Sequence, residues 1–231
     1  MTLDAAAIAE NITRARERIA RAAERARRGA DEITLIAVSK TFPAECVRAA
    51  HAAGLRHFGE NRVQEREAKS PQVADLQATW HFIGHLQSNK VRRAVELFDR
   101  IDSVDSIALA RKLNEAATPQ NKRIGVLIEV HMGEATKSGV AESDLPALAE
   151  AAASLPQLHL LGLMTVPPYS DDPETARPYF QKLRKLRDET SRRIGRPLSV
   201  LSMGMSHDFE IAIQEGATEV RIGTGIFGER F

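Results

Sequence analysis

Short apolar runs rich in β-branched residues alternate with longer helical stretches along the whole chain, and this alternation restricts the fold more than any other feature. The runs are 33–38 (ITLIAV), 56–58, 79–83, 100–101, 124–130, 158–161, 199–201 and 220–222. The clearest helical stretches between them are 106–117, 142–154, 173–194 and 207–215, with a further helix beginning at Pro43, a residue suited to a first helical turn. Strand alternating with helix implies a parallel sheet covered by helices. Eight such units in 231 residues, with strands apolar throughout, point to an α/β fold of the closed (β/α)₈ (TIM) barrel type rather than an open doubly wound sheet. An extra N-terminal helix precedes the first strand. With no fixed-period repeat and no Gly/Ser/Pro linker, residues 1–231 read as one domain.

The charge balance narrows the partners. Thirty-two Lys+Arg against 31 Asp+Glu leave a net charge of +1, so nothing global draws nucleic acid or an anionic membrane. The basic stretch 14–28 is interrupted by Glu17 and Glu24, and Ile8, Ile12 and Ile19 fall near helical spacing, as in a solvated amphipathic helix. The single cysteine, Cys46, has no partner for a disulfide, redox pair or zinc site, which suits a reducing cytoplasm. No apolar run is long enough for a leader or a membrane span. A soluble, cytoplasmic, monomeric protein is expected.

In such barrels reactive residues follow the C-terminal ends of the strands, and phosphates settle in the loops after strands seven and eight. Here those loops are Ser202-Met203-Gly204-Met205-Ser206-His207-Asp208 and Arg221-Ile222-Gly223-Thr224-Gly225. Glycines let backbone N–H groups approach an anion, Ser206 and Thr224 offer hydroxyls, and a helix starting near His207 would present its unpaired N–H groups. The alternative is that Ser206 or Asp208 only caps that helix and the glycines only turn the chain. Gly223, Gly225 and Gly228 spell G-x-G-x-x-G, but at the end of the sequence rather than after a first strand, so a dinucleotide fold is rejected.

Lys40 directly follows the first strand. A partly buried lysine is a weaker acid-holder than a free one, and its neutral amine can attack an aldehyde to form a Schiff base. Taken alone, a lysine in that place is most often a solvated loop charge. Gly59-Glu60-Asn61, the segment 83–90 (IGHLQSNK) and Gly162-Leu163-Met164-Thr165 would face the same mouth. His81 and His85 lack neighbouring Cys or carboxylate at metal-ligand spacing and read as packed or hydrogen-bonding histidines, so no metal is expected. Met164, Met203 and Met205 suit core and pocket filling.

These residues resemble the pyridoxal phosphate homeostasis proteins, whose fold is that of the N-terminal barrel of alanine racemase (fold type III among pyridoxal phosphate proteins). The resemblance spans nearly the whole chain: LIAVSKTFP around Lys40, FGENRVQE at 58–65, WHFIGHLQSNK at 80–90, KSG at 137–139, GLM at 162–164, SMGMSHD at 202–208 and VRIGTGIFG at 220–228. It implies that Lys40 carries pyridoxal 5′-phosphate (PLP) as a Schiff base, that Ser206, Gly223 and Thr224 hold the phosphate, and that Arg221 faces the pyridine nitrogen. Asn61, His85 and Met164 match positions lining the cofactor. Arg62 stands where the family often has Tyr, and Val130-His131-Met132 where an Asn-containing segment is usual, so contacts from those two loops are not carried over.

Two functions follow from the resemblance. The first is a non-catalytic carrier or buffer that holds PLP within the cell and passes it to PLP-dependent apoenzymes. The second is an amino-acid racemase with Lys40 as base. Racemisation needs an acid/base group on each face of the substrate, and neither Tyr169 nor Tyr179 lies in a motif placed opposite Lys40. The carrier is therefore the expectation, with the racemase as alternative. A barrel acting on a phosphorylated metabolite without cofactor leaves Lys40 unexplained.

Overall fold

In the structure, a computed structural model describing residues 4–133 and 138–229, eight strands close into one parallel barrel in chain order. They are β1 (Thr34–Val38), β2 (His57–Glu60), β3 (Thr79–Phe82), β4 (Arg100–Val104), β5 (Ile124–Glu129), β6 (Leu158–Met164), β7 (Val200–Met205) and β8 (Glu219–Ile222). Every neighbouring pair is parallel, and β8 returns to β1 through Thr34 opposite Glu219 and Ala37 opposite Ile222. Among the described residues no helix is long and apolar enough to cross a membrane.

The helices are α1 (Ala5–Arg25), α2 (Ala44–Ala52), α3 (Val63–Val73), α4 (Val91–Leu97), α5 (Ile107–Ala117), α6 (Leu145–Ser154), α7 (Arg177–Ile194), α8 (Phe209–Gln214) and α9 (Thr224–Phe227). Local chemistry sets several ends. The Asp4 side chain accepts from Ala6 N at the start of α1, Ser106 accepts from Leu109 N at the start of α5, and Gly195 in the left-handed region closes α7. The helix expected before β1 is α1. It buries Ile8, Ile12 and Ile19 against α2, α8 and α9, and each such side chain contributes about 1.5–3 kcal/mol on burial. Since α9 is a single turn, α1 takes the place that a full eighth helix holds in a regular (β/α)₈ barrel.

Four strands run further than their apolar runs suggest, β2 continuing from Phe58 through Gly59 to Glu60. β4 continues through Asp102 and Ser103 to Val104, β6 through Gly162 to Met164, and β7 through Ser202 and Gly204 to Met205. These extensions carry polar or small residues that interrupt the apolar runs, and nearer the strand starts the barrel interior is ionic. Arg100 on β4 crosses to Glu219 on the opposite strand β8, with its two terminal nitrogens 2.5 and 3.1 Å from the carboxylate oxygens. Its Nε donates to Asp102 at 3.2 Å. Asp102 also accepts from His81 Nδ1 at 3.0 Å, and His81 Nε2 lies 3.0 Å from His57 Nδ1. Register shifts between β4 and β5, β5 and β6, and β7 and β8 bend the strands where the polar residues enter.

Candidate functional site

A cavity of about 660 Å³ opens at the C-terminal ends of the strands, the place where the fold supports chemistry. Val38 and Lys40 follow or end β1, Asn61 follows β2, Gly84 and His85 follow β3, and Glu129 ends β5. Met205, Ser206 and His207 come from β7 and its loop, Arg221, Gly223 and Thr224 from β8 and its loop. Since β8 pairs with β1, Thr224 and Lys40 belong to adjacent loops.

The loops after β7 and β8 are tied to each other. Gly204 has φ +93°, and a Cβ there would fall 2.6 Å from Ala212 Cβ and 2.8 Å from Phe209 Cα, so the β7 loop turns tightly onto α8. Asp208 Oδ1 accepts from Met205 N at 2.6 Å and makes no cap bond to α8. Ser206 does not cap that helix either: its Oγ accepts from Gly225 N at 3.4 Å. The reading in which these residues merely start a helix therefore does not describe them. Ser206, Gly223 and Thr224 instead form one concave wall of hydroxyls and backbone. His207 Nε2 donates to Asp171 O at 3.0 Å and its ring lies 5.9 Å from Tyr169, fastening the 167–171 segment to the same loop.

Lys40 stands on a buried support. Ser39 Oγ donates to Glu60 Oε1 at 2.7 Å, and Lys69 Nζ donates to Glu60 Oε1 at 2.6 Å and to Ser39 O at 2.8 Å. Burial pushes the Glu60 carboxyl up, while Lys69 and Ser39 pull it back. Thr41, next after Lys40, has φ +69°, a rare conformation for a β-branched residue, and its N–H donates to Glu65 Oε2 at 2.9 Å. Strain of this kind persists where surroundings hold it, and such places concentrate at functional sites.

Arg221 is 4% exposed yet reaches the cavity. One terminal nitrogen donates to Ser202 Oγ and the other to Thr165 O, each at 2.8 Å. Burial draws its pKa down against the carboxylates of Asp102, Glu129, Asp208 and Glu219. Asp102, although burial raises it, is held below the usual carboxylate range by Arg100 and His81. His81, Asp102 and Glu219 bring ligand-type atoms within 4.8 Å of one another, carboxylate company for His81 that its sequence neighbourhood does not reveal. The Arg100 guanidinium bridges both carboxylates and supplies the positive charge itself.

Seven of the residues singled out in the sequence, Lys40, Asn61, His85, Ser206, Arg221, Gly223 and Thr224, line this one cavity. Met164 does not: it ends β6, 1% exposed, between Glu129 and Ser202 in the sheet. Arg62 lies in an adjoining cleft with Lys90 and pairs with Glu65 at 3.9 Å. His131 donates its N–H to Val140 O at 2.9 Å beside the mouth, and Lys137 falls outside the described residues. Glu129, Tyr169 and the 166–168 segment also line the cavity and escape the sequence reading of the site. Glu129 is 6% exposed and accepts from Ser138 Oγ at 2.7 Å, and Tyr169, expected away from Lys40, lines the same cavity. A carboxylate closing an apolar strand was the available signal for Glu129, and Ser138 lay in the quoted KSG motif at 137–139; none in the sequence pointed to Tyr169.

A closed parallel barrel with a lysine after its first strand and glycine/hydroxyl loops after its seventh and eighth defines the class of the alanine racemase N-terminal domain, and the sequence matches that family over residues 3–230. A pyridoxal phosphate homeostasis protein of Aquifex aeolicus is 50% identical over 222 residues, covering 96% of this chain and 97% of the relative. One from Pseudomonas aeruginosa is 48% identical over 226 residues, covering 97% and 96%. Among solved structures, PipY of Synechococcus elongatus PCC7942 with PLP bound superposes with a TM-score of 0.87 at 39% identity, covering 96% of this chain and all of that one. The chain belongs to the pyridoxal phosphate homeostasis protein family.

Proposed function

We propose that this chain holds pyridoxal 5′-phosphate by Schiff-base attachment to Lys40 and acts as a non-catalytic, monomeric carrier in the cytoplasm, passing the cofactor to apoenzymes. The observation that carries this reading is the sharing of one cavity by Lys40 and the Ser206/Gly223/Thr224 wall across the β1–β8 pairing.

The residues present fit the cofactor. Asn61 Oδ1 is a buried acceptor with no partner among the described residues, available to a donor on a ligand. The hydroxyls of Ser206 and Thr224 and the glycine backbone suit three phosphate oxygens, and the cavity volume is that of a small-molecule site. When bound, PLP supplies an aldehyde and an electron-withdrawing ring. Ser39 and Glu60 fix the backbone under Lys40, and Ser206 with Thr224 anchors the phosphate. Arg221, held by Ser202 and the Thr165 carbonyl, would face the ring nitrogen of a bound PLP. A guanidinium does not readily give up a proton, so it would leave that nitrogen unprotonated and restrain the ring as an electron sink.

A racemase would need a second acid/base group, and Tyr169 is the tyrosine within the cavity wall. Its hydroxyl donates to Asp171 Oδ1 at 3.1 Å, and that bond raises its pKa further. A phenol 80% exposed and held protonated is a poor proton acceptor, which favours the carrier.

The test is the visible absorption of purified protein with added PLP, beside Lys40→Ala, followed by borohydride trapping and peptide mapping. Trapping on Lys40, with racemisation of amino acids no faster than in Lys40→Ala, is expected. Trapping spread over other lysines would overturn the site, and robust turnover would overturn the carrier.

A further inference from the structure

β1 and β5 are four strands apart whichever way the closed barrel is counted, so the loops they end in face each other across the mouth. Lys40 stands on one side and Glu129 on the other. The two sides differ in charge. Around Lys40 lie the hydroxyl and glycine loops suited to an anion; opposite lies a carboxylate lining the cavity at 6% exposure. Glu129 Oε1 accepts from Ser138 Oγ at 2.7 Å. Asp105, following β4, lies 3.4 Å from His85 Nδ1, and the charges of both reach Glu129. Arg221 also faces Glu129, but its charge is shared with Asp102, Asp208 and Glu219.

A largely buried carboxylate that lines a ligand cavity favours a donor on the ligand, because a charge-assisted hydrogen bond in such surroundings is stronger than a neutral one. The first ligand, an anionic aldehyde, does not provide a positive group there. A primary ammonium does.

We propose that Glu129, with Asp105 beside it, receives the ammonium group of an incoming primary amine of the lysine side-chain type, which then exchanges with Lys40 on the cofactor's aldehyde carbon. The inference rests on PLP being held at Lys40. The exchange balances without oxidant or water. The amine arrives with three protons on nitrogen, and Glu129 takes one. The neutral nitrogen then bonds to the aldehyde carbon. Its two remaining protons pass to Lys40 Nζ as the bond from that carbon to Nζ breaks, and Lys40 is left as a free amine. Burial raises the Glu129 carboxyl pKa, which makes the carboxylate a better acceptor for the first proton.

The same charges set specificity. An α-amino acid brings a carboxylate next to its ammonium, and that carboxylate would meet Glu129 and Asp105 at close range. A lysine side chain carries its ammonium on an uncharged stem, so it enters without that repulsion.

The experiment uses two probes, Nα-acetyl-lysine amide and alanine. In PLP-loaded protein, release of Lys40 is followed by borohydride quenching and mass analysis of the Lys40 peptide. The lysine derivative should release Lys40 faster than alanine. In Glu129→Gln, which preserves shape and the Ser138 contact, that rate should fall about tenfold or more, the size of a lost charge-assisted hydrogen bond. Asp105→Asn should give a smaller fall in the same direction. In cofactor-free protein, the ¹³C carboxyl resonance of Glu129 should move on titration with Nα-acetyl-lysine amide and stay still with its ε-acetylated form. Equal release rates in Glu129→Gln and the unmodified protein, or an unmoved carboxyl resonance, would overturn the inference while leaving PLP on Lys40. Failure of PLP to trap on Lys40 is a separate result against the cofactor reading, and the resonance titration still decides the ammonium site.

Discussion

Gly204 occupies a conformation that side chains rarely adopt, and it does so where the β7 loop must turn onto α8. A methyl group there meets Ala212 Cβ at 2.6 Å and Phe209 Cα at 2.8 Å, with φ at +93°. Gly204→Ala should therefore lower stability by about 2–4 kcal/mol, from overpacking and left-handed strain together, and loosen the Ser206 wall. A urea midpoint shift corresponding to less than about 1 kcal/mol would mean that the loop relaxes freely. Individual residues differ in how legible they are. Ser206, Gly223 and Thr224 stand out because glycine and hydroxyl after a strand end is a local pattern, whereas Lys40, which alone reads as a solvated loop charge, is legible only through the LIAVSKTFP resemblance. Glu129 does not stand out, because its meaning depends on facing Lys40 across the barrel, a relation between strands separated by three others. Tyr169 and Ser138 enter the cavity through loops whose path no local periodicity fixes.

At the scale of elements, α1 packs on α2, α8 and the single-turn α9 and fills the place beside that short helix. Its Ile12 is 1% exposed, and Asn11 Nδ2 donates to Ile226 O at 2.9 Å in α9. Ile12→Ala should cost about 2–4 kcal/mol and leave the absorption of loaded protein unchanged, since no α1 residue itself lines the cavity. A changed spectrum with unchanged stability would contradict that division. The eight strands and the helices with clear amphipathic spacing were legible from the sequence, whereas the C-terminal halves of β2, β4, β6 and β7 were not. Asp102, Ser103, Ser202 and Gly204 read as loop residues because apolar continuity is the signal for a buried parallel strand, and polar or small residues interrupt that signal. α3 was likewise obscure: Arg66 and Lys69 are among its buried residues and Pro71 lies inside it.

For the molecule as a whole, the interior column joins stability to pH. A carboxylate only accepts, so His81 Nδ1 donates to Asp102, its Nε2 accepts, and His57 Nδ1 is the donor. Burial, with His81 and Arg100 nearby, depresses the His57 pKa to about 4. Between its ordinary value near 6.5 and 4 the unfolded chain then binds the proton and the folded one does not, so stability is complete above that window and falls as pH drops through it. His57 is half-buried, which keeps its share to roughly 1–2 kcal/mol. His57→Gln, which retains a donor for His81, should narrow the difference in urea midpoint between pH 7 and pH 5; an unchanged difference would assign the acid sensitivity to other groups. The pairing of β1 with β8 has a different consequence. The first and last strands of the barrel meet at a seam, and Lys40 and Thr224 flank it. A ligand bonded to one and cradled by the other, as proposed, would clasp that seam, so cofactor occupancy and barrel closure would reinforce each other, and loss of the ligand would first loosen the join between the two ends of the sheet.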